Sequence, residues 1–130
     1  MREEILKIIT ENKNMIKVNL AALRIDDNEI IEIIKKIQEL KPNASKIDLD
    51  NNNISDKGAS ILSEHLREFG NLTELSVQFN AIGREGAIGL FGLKKVFSGL
   101  DIFFHGNKIF DVGEMDEIER LAVGSDSNHL

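Results

Sequence analysis

Three stretches of this chain carry one pattern in one register. Leu72 to Ala87 reads Leu-x-x-Leu-x-Val-x-x-Asn-x-Ile, with Gly86-Ala87 beginning four residues after Ile82. Upstream, Ala44, Ile47, Leu49, Asn52, Ile54, Gly58 and Ala59 hold the same positions, and Asn52 lies 28 residues before Asn80. Downstream, Ile102, Phe104, Asn107, Ile109 and Gly113 hold them again, with Asn107 27 residues after Asn80. A chain that repeats itself at such a period stacks equal units. One unit alone cannot bury its apolar face, whereas neighbours share a continuous core.

The pattern has a physical reading. Ile47/Leu49, Leu75/Val77 and Ile102/Phe104 alternate with other residues, so each pair lines one face of a short strand. The Asn three residues later is expected to be buried where the chain leaves the strand. Its amide can both donate and accept toward turn backbone groups that have no ladder partner. Ile54, Ile82 and Ile109 return to the core. Gly58 and Gly86 fall inside the following helix, where Gly costs about 1 kcal/mol, so they are expected to permit close approach of helix to sheet.

With these residues in view, the chain resembles leucine-rich-repeat proteins of the ribonuclease-inhibitor-like subclass. The period of 27–29 residues and the phrase Asn-x-Ile-x-x-x-Gly-Ala carry the resemblance, which covers residues 15–123. Asn80 to Ala87 also resembles a repeat type found in some bacterial effectors, although Ile88-Gly89 departs from it. The resemblance implies an α/β leucine-rich-repeat solenoid, a right-handed β-α superhelix with a parallel concave sheet and convex helices. About four repeats are expected, at 15–43, 44–71, 72–98 and 99–123, in a single domain spanning 1–130. Residues 1–13 form an N-terminal capping helix and 124–130 a frayed tail.

Along the chain, Ile5, Ile8 and Ile9 share a face of a helix over residues 2–12, expected to cover the open end of the first repeat. Repeat one is degenerate, with Leu23 in the Asn position and Glu29 in the Gly position. Its helix, Asn28–Leu40, turns Ile30, Ile33, Ile34 and Ile37 inward, and Pro42 follows as a stop signal. The second helix is expected over Asp56–Phe69, N-capped at Ser55 or Asp56. The third is expected over Glu85–Phe97 and the fourth over Val112–Val123. Strands are expected at Lys46–Leu49, Glu74–Val77 and Leu100–Phe104.

Composition bounds the chemistry. The formal net charge is −6, which disfavours nucleic acid as a partner. The chain has no cysteine, so it has neither disulfides nor thiolate metal sites. No segment approaches the ~18 apolar residues that span a membrane, and the N-terminus lacks the apolar core of a signal peptide. A cytoplasmic location is expected, or delivery into a host cytosol by a signal that the sequence does not display. His65 has no second ligand at metal spacing, and the glycines of Gly83 to Gly92 lack the lysine of a phosphate loop. The acids Glu114, Asp116, Glu117 and Glu119 read as a solvated helix face. Neither cofactor nor metal is expected.

The open face of the strands is where the core dictates nothing. In register it carries Ile16, Lys17, Asn19, Ala21 and Ala22, then Ser45, Lys46, Asp48, Asp50 and Asn51. The third repeat adds Thr73, Glu74, Ser76, Gln78 and Phe79, and the fourth Leu100, Asp101, Phe103, His105 and Gly106. Leu100 rather than Gly99 can take the first apolar position of the fourth repeat. The residues expected to bind protein are Lys17, Asn19, Asp48, Asp50, Ser76, Gln78, Phe79, Asp101, Phe103 and His105. Phe79 and Phe103 stand out, because aromatics anchor interfaces and no position of the repeat requires them there. In the row Asp50, Gln78, His105 the carboxylate lies two strands, ~10 Å, from the imidazole, too far to orient it as a catalytic base.

These readings describe a non-catalytic module that binds a protein partner through the concave face and the C-terminal edge, with no nucleic acid and no membrane. The last strand leaves an unpaired edge, so a homodimer through it is expected. The alternative that the resemblance implies is a regulator of an enzyme or GTPase, or a bacterial effector acting on a host protein.

Overall fold

The computed structural model describes residues 1–124. Helix α1 (Glu3–Glu11) leads into strand β1 (Lys17–Asn19) and helix α2 (Ile30–Leu40). Three further units follow: β2 (Lys46–Asp48) with α3 (Asp56–His65), β3 (Glu74–Ser76) with α4 (Arg84–Phe91), and β4 (Asp101–Phe103) with α5 (Val112–Gly124). The sheet runs β1-β2-β3-β4 with every pair parallel. Val18, Ile47, Leu75 and Ile102 form one cross-strand row, and the register is the one that the repeat predicts. With the helices on the opposite side, this is a small leucine-rich-repeat solenoid.

The core is a slab between sheet and helices. Leu20, Leu49, Val77 and Phe104 continue the strand rows into it, and Ile25, Ile54 and Ile82 close it at the turns. Helix α2 buries Ile30, Ile33, Ile34 and Ile37 completely, as their spacing on one face requires. Helix α1 covers the first repeat with Ile5 and Ile9. Arg2 ties it down, bonding Glu29 Oε2 at 2.7 Å and the Leu23 carbonyl at 2.6 Å. The buried Lys41 donates to the carbonyls of Asn12 and Asn14, which ends the cap.

Asn52 and Asn107 are buried and Asn80 is half-buried, and all three bond to turn backbone as the pattern predicts. Asn52 Oδ1 accepts from the amides of Leu23 and Ile25, and its Nδ2 donates to the carbonyls of Leu20 and Leu49. Asn80 accepts from Ile54 N, and Asn107 from Ile82 N. Each asparagine therefore binds its own turn to the repeat before it.

Several expectations are corrected. Gly58 and Gly86 do not serve approach to the sheet; they serve approach to the preceding repeat. A Cβ on Gly58 would stand 2.4 Å from Asp27 Oδ1, and one on Gly86 2.6 Å from Asp56 Oδ1 and 2.9 Å from the Ala59 Cβ. Ser55 is the N-cap residue of α3, but its side chain caps nothing; its hydroxyl donates to Asp27. The caps come from one repeat upstream. Asp27 Oδ1 accepts from Ser55 N, and Asp56 Oδ1 accepts from Gly83 N and Gly86 N. Helices α3 and α4 end early, each tightening into a 3₁₀ turn, at Leu66–Glu68 and Gly92–Lys95. Leu100 is buried rather than open-faced, so it takes the first apolar position of the fourth repeat. Gly124 belongs to α5; the rest of the expected tail, 125–130, lies outside the described residues.

Candidate functional site

The open side of the sheet presents three rows across the four repeats. The first, Lys17, Lys46, Glu74 and Asp101, is paired strand to strand. It is cationic on β1 and β2 and anionic on β3 and β4, and none of the four forms an ion pair among the described residues. The second row is Asn19, Asp48, Ser76 and Phe103. The third follows two residues on, with Ala21, Asp50, Gln78 and His105.

The structure brings the middle of this face together and leaves its ends free. Asp50 Oδ1 accepts from the Ser76 hydroxyl at 2.6 Å and from Gln78 N at 2.8 Å, and Asp50 Oδ2 accepts from Gln78 Nε2 at 3.2 Å. Ser76 is buried in this cluster. Asp48 accepts from the Asp50 amide at 2.9 Å. Burial pushes the Asp48 carboxyl above the ordinary range; the Asp50 N–H opposes this, and the Asp50 carboxylate adds to it. Asp48, Asp50, Ser76 and Gln78 thus form a hydrogen-bonded floor. Lys17, Asn19, Asp101 and His105 remain exposed, as does Phe103.

Phe79 is exposed on one side but not idle. Its ring meets the His105 ring edge to face at 5.7 Å and lies against Gly106, where a Cβ would stand 2.3 Å from the Phe79 Cδ1. Phe79 and Phe103 therefore do not stack on each other; Phe79 packs on the turn of the next repeat. Asp50 binds Gln78, and the His105 ring faces Phe79, so nothing in this row orients the imidazole as a base. Half-buried His65 sits on α3. Among the described residues no group of three or more His, Cys, Asp or Glu could hold a metal. Two acids of the α5 run, Glu114 and Glu117, are bridged by Arg84 rather than simply solvated. No described helix is long and apolar enough to cross a membrane.

The C-terminal end holds a feature absent from the residues singled out in the sequence. A cleft of about 630 Å³ opens between β4 and the start of α5, lined by Phe91, Ile102, Phe104, Ile109 and Met115 among others. At its rim Phe110 is 90% exposed and Val112 79%. The signal was present in the repeat: Phe110 takes the position of Asp26, Ser55 and Gly83, where each earlier unit has a small residue at a helix start.

Residues 45–63 and 71–91 match the family model described as Leucine Rich repeat. No curated protein sequence matches the chain. A solved structure titled "Leiomodin-1 Actin-Binding Site 2 (ABS2)" is similar at 14% identity and a TM-score of 0.65, covering 98% of this chain and 91% of its own. At that identity the likeness concerns the fold. Repeat phrase, parallel sheet and asparagine ladder agree with the family match over the two central repeats, and the chain has the leucine-rich-repeat fold.

Proposed function

We propose that this chain is a non-catalytic protein-interaction module. A partner docks on the concave face, and the C-terminal edge is a second interface, with another copy of the chain. One observation carries the reading. The outer positions of the open face hold charged residues without ion pairs and an exposed Phe103, which the fold does not use, while the centre is a rigid hydrogen-bonded floor. A row that is cationic on one half and anionic on the other selects a partner with the opposite order of charge. The likeness to a domain titled as an actin-binding site supports protein binding as a use of this fold and transfers no residue. A full α-helix on each convex segment supports placing the repeats in the ribonuclease-inhibitor-like subclass. The absence of cysteine suits a cytoplasmic setting.

Area limits the concave face. Four strands at ~4.8 Å spacing, each ~17 Å long with its flanks, offer roughly 300 Å², against ~800 Å² per partner in a standard interface. Turns at the rim, from Ala22, Asn51 and Phe79, must join it. The test is affinity capture with the parent and with Lys17→Glu/Lys46→Glu, both exposed positions far from β4. A partner recovered in stoichiometric amount by the parent and lost by the variant is the expected outcome. Equal recovery by both would move the binding surface off the concave face.

A further inference from the structure

The two ends of the solenoid treat their strand edges differently. At the front, Asn14 Oδ1 accepts from Ile16 N and Lys17 N, and Asn19 Oδ1 accepts from Ala21 N. Two outward amides of the β1 edge, those of Lys17 and Ala21, are thereby taken up by its own side chains, a device that hinders pairing. At the back no described side chain accepts from an outward amide of β4. Asp101 N donates to Thr73 O, while Phe103 O and His105 O accept from Val77 N and Phe79 N. Alternation then turns the backbone groups of Ile102 and Phe104 outward, beyond the last strand. In the interior the equivalent amides of Leu20, Leu49 and Val77 all donate to the next strand.

We infer that this edge pairs with the same edge of a second copy, β4 antiparallel to β4, about a two-fold axis at Phe103. The inference rests on reading the C-terminal edge as an interface and adds its geometry. The capped amides of β1 and the helix α1 packed over the first repeat disfavour head-to-tail stacking, which leaves a self-complementary contact between copies. The sequence of β4 is self-complementary in one register. Centring on Phe103 sets Ile102 against Phe104 of the other copy, twice. These are the residues whose N–H and C=O point outward, so the two pairs exchange four hydrogen bonds. The Phe104 carbonyl already accepts from Asn107 Nδ2 at 3.0 Å. It has a second lone pair, just as the Leu49 carbonyl accepts from both Asn52 and Asn80.

The side chains agree with this register. Phe103 meets its own copy as a non-hydrogen-bonded pair, where side chains come closest. Asp101 lies opposite His105 of the other copy, anion against imidazole, on the same open face. Ile102 and Phe104 pair on the core side, a β-branched and aromatic combination that stabilises sheets. Edge strands alone bury less than a stable dimer needs. The cleft beneath β4 and its rim residue Phe110 supply the remaining apolar area. The product is one eight-stranded sheet with a concave face twice as wide.

The chain contains no cysteine, so each introduced thiol is unique. Light scattering is measured on the parent from micromolar to submillimolar concentration, and disulfide formation is followed in three variants. The parent is expected to dimerise. Phe103→Cys is expected to cross-link to itself, since its Cα atoms would stand about 4.5 Å apart, within disulfide range. Asp101→Cys alone is expected to stay unlinked and to form a mixed disulfide with His105→Cys, a pair that retains Phe103. Phe110→Ser, at an exposed position, is expected to weaken the dimer by about tenfold or more. A dimer in which Asp101→Cys links to itself as fast as the mixture would overturn the register and leave the edge an interface. A dimer unaffected by Phe110→Ser would overturn the part given to the cleft. A parent monomeric throughout, with no cross-linking, would overturn the second copy as occupant of this edge.

Discussion

Ala22, Asn51, Phe79 and Gly106 share a left-handed backbone, with φ of 58°, 58°, 55° and 80°. Each precedes the asparagine position of its repeat. For a residue with a Cβ this conformation costs on the order of 1 kcal/mol or more. Ala22→Gly should therefore raise stability by about 0.5–1 kcal/mol in chemical denaturation. Gly106→Ala should destabilise by more than that, since its Cβ would also strike the Phe79 ring. Asp48 offers a pH test. Its folded carboxyl holds its proton more tightly than the unfolded one, so folding binds protons and stability falls as pH rises from about 4 through the folded value. Asp48→Asn keeps the acceptor for the Asp50 amide and should gain stability at pH 7, by less than about 1 kcal/mol at this partly exposed site. The gain should vanish in denaturation curves below pH 4. The asparagines were legible from sequence because one chemistry recurs in one position. The left-handed position was not, since Ala, Asn, Phe and Gly share only a conformation.

Each helix is fastened to the one before it. Asp27 binds the start of α3, Asp56 the start of α4, and Arg84, in the same position, bridges Glu114 and Glu117 of α5. Gly58 and Gly86 leave room for the two aspartates. Gly86→Ala places a methyl group 2.6 Å from Asp56 Oδ1 and 2.7 Å from the Ile82 Cγ2, so it should cost about 2 kcal/mol despite Ala's better helix propensity. A thermal melt would show the loss, and Asp56→Ala in the same chain should relieve part of the clash. The sequence places a glycine there but does not say what crowds it. Besides Ile82 of the same turn, the crowding atoms belong to Asp56 and Ala59, about one repeat upstream, and only stacking brings those near.

Across the molecule the ends are unequal. Helix α1, Arg2 and Lys41 close the front, whereas the back presents a strand edge, a cleft and an exposed Phe110. The front closure depends on pH. Burial pushes the Glu29 carboxyl up, but the Arg2 hydrogen bond, the Asp26 N–H and the charges of Arg2 and the N-terminus together outweigh it, holding the group below the ordinary range. A depressed folded value means that this stability is present above about pH 4.3 and is lost as pH falls through the folded value. Glu29→Gln should therefore destabilise the chain at pH 7 and leave it nearly equal to the parent near pH 2, as read from denaturation midpoints. Exchange of the α1 amides should accelerate in the variant at neutral pH, because the cap is held at few points.

The repeat phrase alone decided the solenoid, its register and its asparagine ladder, because strand alternation is a local demand on every unit and the turn amide one that three of the four units meet. The N-terminal cap followed from one amphipathic face with nowhere else to go. Contacts between units were decided by stacking: which aspartate caps which helix, why the glycines are small, and that Phe79 leans on His105 rather than on Phe103. The contrast between the capped amides of the front edge and the uncapped ones of the back edge belongs there too. Whether an outward N–H is satisfied depends on where a side chain from another turn comes to rest, and no spacing along the chain encodes that distance.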